Sequence, residues 1–99
     1  MAKFDVYRID GGRGYLIDIQ ADLLGALSTR VVVPLLPGDE VPPPSKRLNP
    51  IFHIGPDEVV MATQLMAAVP RSALKTSIAN LSEHHDTIVG AIDFLMQGF

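Results

Sequence analysis

Ser28-Thr29-Arg30 is the one cluster of this 99-residue sequence that could serve a metal-free ribonuclease. A guanidinium can stabilise the charge of a phosphorane, and a hydroxyl can position the scissile phosphate. The alternative is structural, because a β-branched apolar run follows directly. In that interpretation the segment starts a strand and Arg30 forms a salt bridge, and we favour it.

Histidines and cysteines limit metal and thiol chemistry. The chain has no cysteine, which excludes a thiol nucleophile. His84 and His85 are adjacent on a predicted helix, so their side chains point about 100° apart and would chelate one metal poorly. We predict a solvated first turn there, no metal site and no cofactor. His53 lies among apolar residues, which favours a hydrogen-bonded structural histidine over a catalytic base.

Two further motifs have a structural and a chemical interpretation. Asp18 and Asp22 could form an acid–base pair, but capping of a turn by Asp22 is the favoured interpretation. Residues 11–14 are rich in glycine like a phosphate loop, yet they lack the Lys-Ser/Thr ending and a following helix. We therefore predict a hairpin tip and no catalytic residue.

The composition predicts one domain, residues 1–99, with 47% apolar and 19% charged residues. No apolar stretch approaches the roughly 20 residues that span a bilayer, and the N-terminus lacks a signal-peptide core. Residues 1–75 hold all eight Lys and Arg and eight acids, whereas residues 76–99 hold three acids. Because nucleic-acid binders normally present a basic face, we expect a protein partner, and the lack of cysteine suits the cytoplasm.

The first half of the chain predicts antiparallel strands. Residues 3–9 and 15–20 alternate with a period of two around the glycine-rich loop, which predicts a hairpin with Asp18 and Gln20 on the polar face. Residues 30–36 are β-branched and apolar, which predicts a central strand buried on both faces. Pro34 within it predicts a bulge or an edge, because proline cannot donate to a ladder.

The second half predicts a loop over 37–50 with a Pro42-Pro43-Pro44 connector, then strands over 51–54 and 59–63. Residues 64–78 are ambiguous between states. Apolar residues at helical spacing predict a helix over about 82–96, with Ser82 as N-cap, Gly98 at C′ and a close contact at Gly90. The fold class is therefore α+β, a twisted barrel-like sheet with a C-terminal helix. Phe99 either packs back on the core or contacts a partner.

Nearly the whole chain resembles the CcdB toxins of toxin–antitoxin modules. The segments that carry the resemblance are, in chain order, Phe4-x-Val6-Tyr7, Ile17-Asp-Ile-Gln-Ala-Asp-Leu-Leu24, Arg30-Val-Val-Val-Pro-Leu35, Phe52-His-Ile-Gly55, Met61-x-Thr63, Met66-x-x-Val69-Pro70, Leu81-Ser82, Ala91-Ile92-Asp93 and Gly98-Phe99. The resemblance implies an SH3-like barrel of short antiparallel strands, a homodimer, and a toxin that is not an enzyme. Such a toxin binds the DNA gyrase A subunit, traps the cleaved DNA–gyrase complex and is neutralised by an antitoxin with a disordered C-terminal tail.

The resemblance also implies two sets of contact residues. The gyrase-binding set is Leu23, Leu24, Asp93, Met96, Gln97, Gly98 and Phe99. The antitoxin-binding set lies in the hairpin and the proline loop and comprises Arg8, Arg13, Lys46 and Arg47. Gln97 stands where the best-known member carries a Trp. Two alternatives stay open: a MazF-type endoribonuclease on the same fold, using Arg30 with Thr29 or Ser28, and a non-toxic relative that only binds antitoxin.

Overall fold

A computed structural model describes residues 1–41 and 45–98 as an antiparallel sheet that curves into a nearly closed barrel, with one α-helix after it. The predicted α+β, SH3-like architecture is thereby confirmed. The elements are β1 (Asp5–Arg8), β2 (Tyr15–Asp18), β3 (Thr29–Leu36), β4 (Ile51–Ile54), β5 (Asp57–Met61), β6 (Ala67–Pro70), β7 (Ala79–Asn80) and α1 (His85–Gln97). The predicted triplet Pro42-Pro43-Pro44 lies outside the described residues.

The strands pair in the order β4-β5-β3-β2-β1-β7, and β6 also pairs with β3. The predicted hairpin is confirmed as β1 and β2, with Val6 opposite Ile17. Gly14 ends its tip with a φ of 89°, and a Cβ there would lie 2.4 Å from the carbonyl oxygen of Leu35. Only glycine fits this close approach, so the hairpin tip depends on it.

Pro34 lies where the neighbour of β3 changes. Residues 29–32 pair with β6, whereas Leu35 and Leu36 pair with β5. The carbonyl of Pro34 accepts a hydrogen bond from the N–H of Ala62 at 2.9 Å, so the side of the strand that lacks an N–H faces this junction. The proline therefore costs the sheet no ladder bond, which is how it stays within a central strand.

The core fills the barrel and the underside of α1. Val6, Ile17, Val33 and Leu35 are fully buried from the sheet, and Ile88 is fully buried from the helix. Ile92 is half-buried and Leu95 is 37% exposed, so the predicted apolar stripe is fully buried only along its first part. The last turns of α1 consequently project beyond the core.

The start of the helix differs from the prediction. Ser82 is not the N-cap: a 3-10 turn spans Ser82–His84, and α1 begins at His85 without a side-chain cap. The carboxamide oxygen of Asn80 instead accepts a hydrogen bond from the N–H of Ser82 at 2.8 Å. Asn and Ser are equally good caps, so local preference did not distinguish them.

The close contact expected at Gly90 is also wrong, because a Cβ there would meet no heavy atom within 4 Å. Gly90→Ala should therefore raise the free energy of unfolding by about 1 kcal/mol, the helix-propensity difference between the two residues. Urea denaturation would measure it. The same substitution at Gly14 should destabilise the fold, because it forces Cβ against Leu35. An unchanged or lower stability for Gly90→Ala would contradict the prediction.

Candidate functional site

Arg30 is a buried structural residue and does not face a substrate. Its side chain and that of Asp18 are both 0% exposed. Nε of Arg30 donates to Oδ2 of Asp18 at 2.9 Å, and Nη2 lies 2.6 Å from the same oxygen. The favoured interpretation of Ser28-Thr29-Arg30, a strand start with Arg30 in a salt bridge, is confirmed. A phosphate could reach this guanidinium only if the surrounding structure opened.

Asp18 and Gln20, the polar residues that alternate with Ile17 and Ile19, are both buried. Asp18 also accepts a hydrogen bond from the N–H of Gln20, so it does not form an acid–base pair with Asp22. The carboxylate of Asp22 accepts a hydrogen bond from the N–H of Lys3 at 2.7 Å. Asp22 thus ties the N-terminal segment to this turn and does not cap the turn itself.

The histidines lie on the surface. The ring of His84 packs against Phe52 with centroids 5.2 Å apart, and that of His85 packs edge-on against Phe4 at 5.6 Å. His53 is exposed on β4, with Nε2 3.5 Å from a carboxylate oxygen of Glu58 on the neighbouring strand β5. Within residues 1–41 and 45–98, no three His, Cys, Asp or Glu side chains form a possible metal site.

Among residues 1–41 and 45–98, Leu23 is the most exposed large apolar side chain. It lies in a 3-10 turn, Asp22–Leu24, that connects β2 to β3. Leu23 is 95% exposed, and Leu24 and Leu27 are each about half exposed. Monomeric surfaces seldom gather several large apolar residues in one short segment unless a partner covers them. The predicted pair Leu23 and Leu24 is therefore available for binding.

The end of α1 supplies a second exposed apolar surface. Met96 is 64% exposed, and Asp93, Gln97 and Gly98 are exposed beside it. Gly98 adopts a φ of 80°, and its N–H donates to the carbonyl of Phe94 at 2.9 Å, which confirms the predicted C′ position. Phe99 lies outside the described residues. Apart from the 3-10 turn that precedes it, α1 lies mainly against the 3-10 turn Thr63–Leu65, rather than against the turn that holds Leu23.

The four cations predicted to bind antitoxin fall into two pairs. Arg8 and Arg13 lie on the β1–β2 hairpin. The guanidinium of Arg8 lies 5.6 Å from the ring centroid of Tyr15. Both terminal nitrogens of Arg13 hydrogen-bond the carboxylate of Asp39, at 3.1 and 3.3 Å, and these bonds hold the pKa of Asp39 below its usual value. A ligand carboxylate at Arg13 would therefore compete with Asp39.

Lys46 and Arg47 form the second pair, in a turn beside α1. The guanidinium of Arg47 lies 4.4 Å from the ring centroid of Phe94, a cation–π contact. Both residues line an open cavity of about 300 Å³ whose other wall is the helix, with Asp86 and Asp93 among its lining residues. Asp93, assigned to the gyrase-binding set, thus shares this cavity with two residues of the antitoxin-binding set.

Two features of this site were missed at the level of sequence. The side chain of Gln20 links the 21–28 segment to β3 through two hydrogen bonds. The carboxylate of Asp18 accepts a hydrogen bond from the backbone N–H of Gln20. The spacing Asp18-x-Gln20 places both side chains on the same face of the strand. On a strand with a period of two, such a polar pair is ordinarily interpreted as facing solvent, and so its buried role is not recognised. Arg30 can be recognised as the buried partner of Asp18 only when the pairing of β2 with β3 is known.

A small barrel that exposes large apolar side chains in a turn and at a helix end is typical of proteins that act by binding another protein. The comparison with protein families agrees: residues 3–98 match the family described as CcdB protein. The chain belongs to the CcdB family, the toxins of CcdA/CcdB toxin–antitoxin modules. Among the residues that the structure describes, no helix is long and apolar enough to cross a membrane.

Proposed function

We propose that this protein is a toxin that binds the DNA gyrase A subunit and traps the cleaved DNA–gyrase complex. The proposal rests on membership of the CcdB family together with one observation, the exposure of Leu23 and Met96. Trapping would leave double-strand breaks and block replication and transcription. The site of action would be the bacterial cytoplasm, where the DNA is.

The apolar surfaces support a binding mechanism. Burial of a leucine or methionine side chain contributes about 1.5–3 kcal/mol, and a few such anchors carry most of the affinity of an interface. The two surfaces lie on different elements, the Asp22–Leu24 turn and the end of α1. A homodimer would present two copies of each, so that both surfaces could contact the two A subunits of gyrase. The proposed gyrase contacts are Leu23, Leu24, Asp93, Met96, Gln97, Gly98 and Phe99.

The antitoxin would bind through Arg8, Arg13, Lys46 and Arg47. Because these cations lie in two separate pairs, an extended partner suits them better than a compact one. A disordered antitoxin tail that folds on the toxin can cover distant surfaces in this way. The shared cavity of Lys46, Arg47 and Asp93 would let the bound tail reach the gyrase-binding surface.

We propose that the protein performs no catalysis of its own. The burial of Arg30 in its pair with Asp18 removes the cation on which the ribonuclease alternative depended. DNA cleavage would be the reaction of gyrase, held at an intermediate stage by the bound toxin.

The test is cleavage of supercoiled plasmid by purified gyrase, with ATP and increasing concentrations of this protein. We expect linear DNA that depends on both proteins. Leu23→Asp should reduce it at least tenfold, because a charge replaces an apolar anchor, whereas Ile51→Asp should not. Ile51 is a matched control, an exposed apolar residue on β4 outside both proposed sets. No linear DNA with gyrase of the native host would contradict the proposal and favour the non-toxic relative.

A further inference from the structure

The side chain of Gln20 joins the segment that carries Leu23 and Leu24 to the central strand. Its Nε2 donates to the carbonyl of Leu24 at 3.0 Å, and its Oε1 accepts from the N–H of Val31 on β3 at 3.1 Å. Gln20 is only 7% exposed. One buried carboxamide thus bonds the exposed turn on one side and the sheet on the other.

A buried ion pair fixes Gln20 in turn. Oδ1 of Asp18 accepts a hydrogen bond from the N–H of Gln20 at 3.0 Å, while Oδ2 faces the guanidinium of Arg30. The turn lies close above this guanidinium, since a Cβ on Gly25 would be 3.7 Å from Nη1 of Arg30. A fully buried ion pair has one favourable geometry, because any other arrangement would leave a buried charge without a partner.

The turn has little support of its own. Its 3-10 segment, Asp22–Leu24, has three residues, none of them buried. Its local backbone hydrogen bonds join Leu24, Gly25 and Leu27 to residues three positions earlier. Short 3-10 segments have poor hydrogen-bond geometry, and segments with few buried contacts open at low free-energy cost. The conformation of this segment therefore depends on bonds to residues outside it: the bond from the buried Gln20, and the exposed bond between the N–H of Lys3 and the carboxylate of Asp22.

We propose that Gln20 is a positioning residue: it holds the 21–28 segment in the conformation that presents Leu23 and Leu24 to a protein partner. The proposal rests on the proposed function for the identity of that partner, the gyrase A subunit. If only a fraction of the molecules hold the turn in this conformation, the apparent affinity falls by that fraction. Gln20 thus acts on binding without touching the partner.

The decisive variant is Gln20→Glu. The carboxylate keeps an acceptor for Val31, loses the donor to Leu24 and places a negative charge beside the carbonyl oxygen of Leu24, so the bond to the turn is replaced by a repulsion. Asn49→Asp is the matched control, because the buried carboxamide of Asn49 donates in the same way to the carbonyl of Met61 at 3.0 Å, in a different part of the fold. Binding to immobilised gyrase A subunit and amide hydrogen exchange would be measured for both variants and the unsubstituted protein.

We expect Gln20→Glu to weaken gyrase A binding about tenfold, as expected if about one molecule in ten keeps the binding conformation. Exchange at Leu24, Gly25 and Leu27 should accelerate about tenfold or more, because the open fraction of the turn rises to about nine in ten, while the amide of Val31 stays protected. Asn49→Asp should leave both readouts unchanged. Unchanged exchange in the turn, faster exchange with unchanged affinity, or an equal loss of affinity in Asn49→Asp would each overturn the proposal.

A failure of the proposed function is distinguishable from these outcomes. In that case the unsubstituted protein itself does not bind gyrase A. The exchange measurement then decides about Gln20 alone. Faster exchange confined to the turn in Gln20→Glu supports its positioning role, and unchanged exchange overturns it.

Discussion

Removal of Gly98 and Phe99 is expected to abolish gyrase-dependent DNA cleavage while the fold is retained. Interface anchors of aromatic type contribute about 2–4 kcal/mol or more, which corresponds to a loss of roughly 30-fold to 1,000-fold in affinity. Gly98 contributes one hydrogen bond, to Phe94, at the exposed end of α1. Its loss should fray the last helical turn without reaching the core at Ile88. The plasmid cleavage assay measures the effect.

The control for this truncation is antitoxin binding, because the cations assigned to it lie on the hairpin and in the turn at Lys46 and Arg47. A peptide with the sequence of the proposed antitoxin tail should bind the truncated and the full chain with equal affinity. Circular dichroism should show the same strand signal in both. Cleavage that persists after truncation would remove the end of α1 from the gyrase-binding surface.

Arg30→Met is expected to destabilise the fold strongly. It leaves the carboxylate of Asp18 buried without its cation, and such broken pairs cost about 3–5 kcal/mol. This is a large share of the 5–15 kcal/mol by which domains of this size are stable. Urea denaturation, followed by circular dichroism, gives the free energy of unfolding directly.

Two further variants separate the lost ion pair from the lost side chain. Arg71→Met changes an exposed arginine in the same way and should alter the stability by less than about 0.5 kcal/mol. The double variant Asp18→Leu with Arg30→Met replaces the pair by apolar groups and should recover much of the loss. A loss below 1 kcal/mol for Arg30→Met alone would show that the pair is not needed for stability.

The sequence predicted those elements whose signals are local. Strand β4, Ile51–Ile54, was predicted at its observed bounds, and the glycine-rich hairpin and the C′ position of Gly98 were predicted because each needs a specific backbone conformation. The exposure of Leu23 and Leu24 followed from the family resemblance, since an apolar pair in a connection is also compatible with core packing.

The errors concern contacts between distant segments. Asp18 and Gln20 alternate with apolar residues and so resemble a solvent-facing row, but the 21–28 segment covers them. Ser82 and Asn80 have the same capping chemistry, and only the fold places Asn80 at the start of the turn. The sequence shows that position 90 has no side chain, but it does not show that the space around this position is open. None of these three features can be predicted from residues that are close together in the sequence.

Strand β2 pairs with β3 past Pro34, but on the opposite side of β3, which faces β5 and β6, the imino acid marks a corner of the barrel. A strand that paired with the whole length of β3 on that side would find no donor at its midpoint, so two separate strands, β5 and β6, meet there instead. A shift of either strand by one residue would bring an acceptor opposite the proline ring and exchange the inner and outer side chains. One residue without an N–H therefore protects the alignment of both β5 and β6, and with it the closure of the barrel.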